Sequence, residues 1–267
     1  MLVPYLVILL AMLWLENSLL YFPLRYDGGE RWLPGEPNVE DATFQATDGT
    51  RLHGLYFHHP DPKAVVLFAH GNAGNVAYWA DVGRQWRRDL GVSILVFDYR
   101  GYGRSEGKPS EPGLMADGRA ARAWLAARTG VAEDQIVLAG RSIGGGVMVD
   151  LATDGARGLI LERTFTSIPD AAACHYPWLP VRLLMRNRFD SLSKIKKYQG
   201  PLLMCHGDAD TIVPMALGKA LFDAANDPKQ WITELGGEHN DPLPDNYLDA
   251  VKMFLSELSA PPQTNGH

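Results

Sequence analysis

Val137-Leu138-Ala139-Gly140-Arg141-Ser142-Ile143-Gly144-Gly145-Gly146 reads as a buried strand, a very tight turn and the start of a helix. The turn carries G-x-S-x-G, the pattern of a nucleophile elbow. Its flanks supply the context the pattern needs: an apolar run, Ile136 to Leu138, before it and a helix-compatible segment, Gly144 to Ala152, after it. Gly140 and Gly144 fall where strand and helix pack too closely for a Cβ. Ser142 is expected in a strained backbone conformation that pushes its Oγ out of the turn. The N–H of Ile143, at the opening of the helix, points at the same place and can stabilise an oxyanion.

Outward from this turn the chain alternates strand and helix. Strand-like runs are Val39 to Ala46, Leu52 to Phe57, Ala64 to Ala69, Val92 to Phe97, Gly158 to Leu161, Pro201 to Cys205 and Trp231 to Leu235. Helical patterning covers Val76 to Leu90, Leu114 to Arg128, Ala216 to Ala225 and Tyr247 to Leu258. The predicted fold is α/β: a mostly parallel central sheet flanked by helices. Asp48-Gly49 marks an opening hairpin and hence an antiparallel edge. Residues 165–198 break the rhythm with aromatics, prolines and basic residues. They are expected to form a short cap over the C-terminal ends of the strands, where open α/β sheets bind ligands.

With 267 residues, 46% hydrophobic and 21% charged, the chain suits one sizeable α/β domain, placed here at 39–260. A net charge of −6 and the lack of a basic stripe give no footprint for nucleic acid. Cys174 and Cys205 make neither a disulfide framework nor a zinc site. Residues 1–24 form an apolar helix free of charge up to Glu16. It reads as a membrane anchor, with Glu16, Trp14, Tyr21 and Tyr26 at the interface; a signal peptide and a helix docked on the protein are the alternatives. Arg25 and Arg31 follow this helix and no Lys or Arg precedes it, which points the domain to the cytoplasmic side. Residues 25–38 read as a linker and 261–267 as a disordered tail. Oligomeric state is left open.

An activated serine needs a base and a group to orient that base. His239, in Gly236-Gly237-Glu238-His239-Asn240-Asp241 after the last strand, can swing over the sheet edge to Ser142. The acid should lie between serine and histidine in chain order. The loop from His206 to Pro214 offers Asp210 and Asp208; Asp210 is preferred because it stands farther from the strand end and can turn inward. A second oxyanion donor is expected in His70-Gly71-Asn72-Ala73-Gly74, from the N–H of Asn72 or else of Ala73. No metal-ligand spacing appears, and no cofactor is expected. Gly101-Tyr102-Gly103 has the look of a dinucleotide fingerprint, but Glu106 stands where its third glycine belongs.

These motifs together resemble the α/β-hydrolase superfamily. The likeness is to its branch of small membrane-associated α/β-hydrolase-domain proteins, relatives of serine-aminopeptidase-like hydrolases and of protein depalmitoylases. It rests on His70 to Asn75, Asp98-Tyr99-Arg100-Gly101-Tyr102-Gly103, Gly140 to Gly145, His206-Gly207-x-x-Asp210 and Gly237-x-His239. It also rests on Leu20-Tyr21-Phe22-Pro23 and Phe189-Asp190-Ser191, and it covers about residues 19–258. The resemblance implies a serine hydrolase acting on an ester or thioester. Amide hydrolysis of the aminopeptidase type, acyl transfer, and a non-catalytic binding role are the alternatives. Expected contacts to a small-molecule or lipid-like acyl substrate are Ala73, Arg141, Phe165, His175, Tyr176 and Trp178, although the cap aromatics read equally as cap core. One departure from the family pattern is Arg163, where a small residue is expected after Glu162; it is placed near the cap entrance, with a bearing on substrate choice.

Overall fold

The computed structural model describes residues 2–26 and 35–259; most of the expected linker and the tail lie outside them. The chain opens with α1 (Leu2–Leu20) and β1 (Phe22–Pro23), then β2 (Val39–Gln45), β3 (Arg51–Phe57), β4 (Val65–Ala69) and β5 (Ala73–Gly74). Next come α2 (Val76–Gln85), continued by a π turn to Leu90, β6 (Ser93–Phe97), α3 (Glu111–Thr129), β7 (Val137–Arg141), α4 (Ile143–Ala152) and β8 (Gly158–Glu162). Three short helices, α5 (Ile168–His175), α6 (Val181–Leu184) and α7 (Ser191–Ile195), occupy the expected cap. The chain ends with β9 (Leu202–Gly207), α8 (Met215–Ala224), β10 (Lys229–Glu234) and α9 (Asp245–Ser259).

Eight strands make the central sheet in the order β10-β9-β8-β7-β4-β6-β3-β2. β3 runs antiparallel to both β2 and β6, and the remaining pairs are parallel. The hairpin forms at Asp48-Gly49 as expected: Gly49 takes φ +83°, and the Asp48 carboxylate accepts the N–H of Thr50 at 3.1 Å. The inner strands β4, β6, β7 and β8 are apolar along most of their length because both faces are covered. Along β4, Leu67 and Ala69 join the core beneath α3 and α4, while Val66 and Phe68 join the core beneath α2 and α9. β7 divides in the same way, Leu138 to one core and Val137 and Ala139 to the other. Since β4 and β7 are neighbours, the loops at their C-terminal ends lie side by side.

The N-terminal helix packs against the cap. Among the described residues no helix is long and apolar enough to cross a membrane. Glu16, expected at a lipid–water interface, is only 6% exposed. Its carboxylate accepts the backbone N–H groups of Arg186 at 2.9 Å and Asn187 at 2.7 Å, and the Asn187 amide at 2.8 Å. A buried carboxylate needs such donors, and here the cap supplies them. Beyond the helix, β1 pairs in parallel with β5, Phe22 opposite Ala73 and Pro23 opposite Gly74. Arg25, at the start of the expected linker, donates to the Ser105 carbonyl at 2.8 Å.

Candidate active site

Ser142 lies between the last residue of β7 and the first of α4, at φ 54°, ψ −118°. That left-handed backbone is strained for a residue with a side chain. Its neighbours hold it there. The Ser142 N–H donates to the Glu162 carbonyl at 2.9 Å, and the Thr164 hydroxyl donates to the Ser142 carbonyl at 2.8 Å. A Cβ on Gly144 would come within 2.1 Å of the Ala69 carbonyl oxygen, and one on Gly140 within 2.5 Å of that of Gly144. Only glycine permits so close a crossing of strand and helix.

From 97 residues away His239 brings its Nε2 to 3.1 Å from the Ser142 hydroxyl. Its Nδ1 lies 2.7 Å from Asp210 Oδ2. A carboxylate there fixes the proton on Nδ1 and leaves Nε2 free to accept the serine proton. The other oxygen of Asp210 accepts the N–H groups of Ile212 at 2.9 Å and Val213 at 2.7 Å. Burial pushes the Asp210 carboxyl up, but hydrogen bonds from His206, His239 and the Val213 N–H outweigh it and hold the group far below the ordinary carboxylate range. Asp208 instead accepts the Gly236 N–H at 2.6 Å and closes the turn. His206 Nε2 lies 2.8 Å from the Val213 carbonyl, bracing the same loop.

The loop after β4 faces the serine turn. The Tyr99 hydroxyl donates to the His70 carbonyl at 2.6 Å, and the Tyr102 hydroxyl lies 2.9 Å from the Asn72 carbonyl. With those carbonyls turned toward the tyrosines, the Asn72 N–H has no hydrogen-bond acceptor among the described residues. Ile143, as the first residue of α4, likewise has no helical acceptor for its N–H. Asn72 and Ile143 line the same cavity as Ser142.

An apolar cavity of about 690 Å³ opens over Ser142 and His239. Of the expected substrate contacts Ala73, Arg141, Phe165, His175 and Tyr176 line it. Trp178 does not: it sits on the turn between α5 and α6, 59% exposed, and the next residue, Leu179, turns inward to take the lining position. Arg163 is also misplaced by the sequence reading. It is fully buried under the His239 loop, not at the cap entrance. Its guanidinium donates to the carbonyls of His239 at 2.8 Å and Asp241 at 2.7 Å, and to Glu234 at 3.1 Å. Arg141 adds a second donor to the His239 carbonyl at 2.8 Å. Neither this support nor the lining by Leu9, Met12 and Leu13 of α1 is read from the sequence. The signal available for α1 is one lone carboxylate, Glu16, in a segment that is apolar on every face up to that point.

A mostly parallel sheet with a serine turn after β7, an acid loop after β9 and a histidine loop after β10 defines a protein of the α/β-hydrolase type. The chain belongs to that superfamily: residues 64–170 match the family model described as alpha/beta hydrolase fold. It is 39% identical to the Mycobacterium tuberculosis protein Rv2307c over 91% of this chain and 88% of that one. It is 34% identical to the alpha/beta hydrolase domain-containing protein WAV2 of Arabidopsis thaliana, over 76% and 72% of the two chains. Among solved structures an esterase of Pyrococcus furiosus superposes with a TM-score of 0.71 at 18% identity, covering 90% of this chain and 98% of the other.

Proposed function

We propose that the protein is a serine hydrolase that cleaves an ester or thioester through an acyl-enzyme. The observation that carries this reading is the continuous contact from Asp210 through His239 to Ser142 at the floor of an apolar cavity. In the reaction His239 Nε2 takes the serine proton as Oγ attacks the substrate carbonyl. The N–H groups of Ile143 and Asn72 stabilise the oxyanion, and Asp210 holds the imidazolium that forms. His239 then gives its proton to the leaving alcohol or thiol. Water repeats the sequence on the acyl-serine and releases the acid.

The test combines labelling with turnover. A fluorophosphonate probe should label Ser142 in folded wild type and not in Ser142→Ala. Hydrolysis of p-nitrophenyl butyrate should fall about 10³-fold or more in Ser142→Ala and His239→Ala. A folded protein that resists labelling would point to a binding role. Turnover confined to aminoacyl anilides would replace the ester reading with an amide one.

We also infer that the N-terminal helix holds the protein against a lipid surface without spanning it. Supporting this are the outward-facing Trp14, 84% exposed, and Leu15 of the helix, with Phe22 of β1 exposed just beyond it. Apolar side chains so placed suit an interfacial helix. Full-length protein should float with phosphatidylcholine vesicles, and the pair Trp14→Asp and Leu15→Asp should release it. Wild type that stays entirely in the unbound fraction would defeat the inference.

A further inference from the structure

Resting on the serine-hydrolase reading, we propose that α1 is the wall of the pocket that selects a long linear acyl chain, and that Glu16 seats this wall on the cap. Leu9, Met12, Leu13, Glu16 and Leu20 all line the cavity. They recur at intervals of three and four, so they form one face of the helix. Trp14 lies on the other face, turned to solvent.

The stripe begins at the reacting centre. The side-chain amide of Asn72 donates to the Leu20 carbonyl, so the C-terminal end of α1 adjoins the loop that supplies the second oxyanion donor. From Leu20 back to Leu9 is eleven residues, roughly 16 Å along a helix axis. A butanoyl group on Ser142 cannot span that length, whereas an extended dodecanoyl chain covers most of it. Ile168, Leu179, Val181 and Leu184 of the cap line the same cavity. An acyl chain between the two walls would be apolar on both sides.

Glu16 is the exception in the stripe, and its surroundings explain it. Its oxygens are taken up by Arg186 and Asn187 as described above, and the Arg186 guanidinium also reaches the Leu13 carbonyl at 2.7 Å. Asn187 in turn donates to Asn17 at 2.8 Å and accepts from the Tyr21 hydroxyl at 2.7 Å. The carboxylate is therefore committed to the cap. It offers substrate no free acceptor and acts through the position of the helix, which makes Glu16 a positioning residue.

The experiment compares kcat/KM for p-nitrophenyl laurate and butyrate in the full-length wild type, Met12→Trp, Glu16→Ala and Glu16→Gln. Met12→Trp fills the stripe; Glu16→Ala unseats it. In both, the laurate-to-butyrate ratio should fall about tenfold or more, the change expected from losing contact with about two methylenes. The loss should appear in KM for laurate. Glu16→Gln keeps an oxygen for the Arg186 and Asn187 N–H groups and should recover most of the ratio. An unchanged ratio in Met12→Trp and Glu16→Ala overturns the proposal. Binding of dodecanoate to Ser142→Ala, by calorimetry, reads the wall without turnover and should weaken about tenfold when Met12→Trp is added. Binding of that kind without ester turnover in wild type would leave the wall standing and reject the esterase reading. Ester turnover with a Met12-independent ratio would do the reverse, and neither turnover nor binding would reject both.

Discussion

The guanidinium of Arg163 holds the backbone of the His239 loop at two carbonyls while its other edge meets the buried carboxylate of Glu234. Its own backbone is left-handed, φ 46°, so the residue combines strain with a fully buried charge. Both are tolerated because every donor of the fork has an acceptor. Arg163→Met would leave Glu234 without its cation and the two carbonyls without that donor. Breaking one partner out of a buried pair typically destabilises by about 3–5 kcal/mol, so a lowered melting temperature is expected. A purely structural residue would stop there. Because the carbonyl it holds belongs to His239, Arg163→Met should also lower kcat for an ester by about tenfold to a hundredfold at nearly unchanged KM, the scale of a misplaced catalytic group. Arg163→Lys keeps the charge without the fork and should lie between. Steady-state kinetics on folded fractions decide this, and a kcat equal to wild type would confine Arg163 to stability.

At the scale of the element, legibility follows from how local the determinants are. The strands β4, β6, β7 and β8 were readable because burial on both faces writes a continuous apolar run into the sequence. The turn at Ser142 was readable because close packing demands Gly140 and Gly144. Asp210 and His239 were readable because each stands in a loop directly after a strand, and parallel strands deliver such loops to one edge. What escaped was set by contacts between distant segments. β1 is two residues long and exists only because β5 lies beside it. The seat of α1 depends on Asn187, about 170 positions from Glu16. Trp178 and Leu179 are adjacent in an irregular turn, where no periodicity says which one faces inward. Arg163 stands out in the sequence as a departure from a pattern, but its direction is dictated by Glu234, 71 residues on.

For the molecule as a whole, buried carboxylates set the response to acid, and they pull in opposite directions. Burial raises Asp98, yet the hydrogen bond from His53 and the neighbouring His70 imidazole more than offset it, so its carboxyl lies below the ordinary range; Asp210 is depressed as well. Glu162 is raised, because burial outweighs the help of Arg141, Tyr247 and Arg163, and Asp117 is raised by burial despite Arg100. A carboxyl depressed on folding adds stability above its unfolded value, and that contribution is lost as pH falls through the folded one. A raised carboxyl binds its proton more tightly in the folded chain, so its contribution declines as pH rises through the folded value. Unfolded Asp and Glu titrate near pH 4. The melting temperature should therefore hold or rise slightly from pH 7 towards 5, where Glu162 and Asp117 gain, and then drop steeply below about pH 4, where Asp98 and Asp210 lose. Glu162→Gln should remove much of the gentle rise and keep the acid collapse, because it deletes one raised group and neither depressed one. Circular dichroism melts of both proteins between pH 3 and 8 test this. A steepest fall between pH 5 and 7 would contradict the assignment of acid sensitivity to these carboxylates.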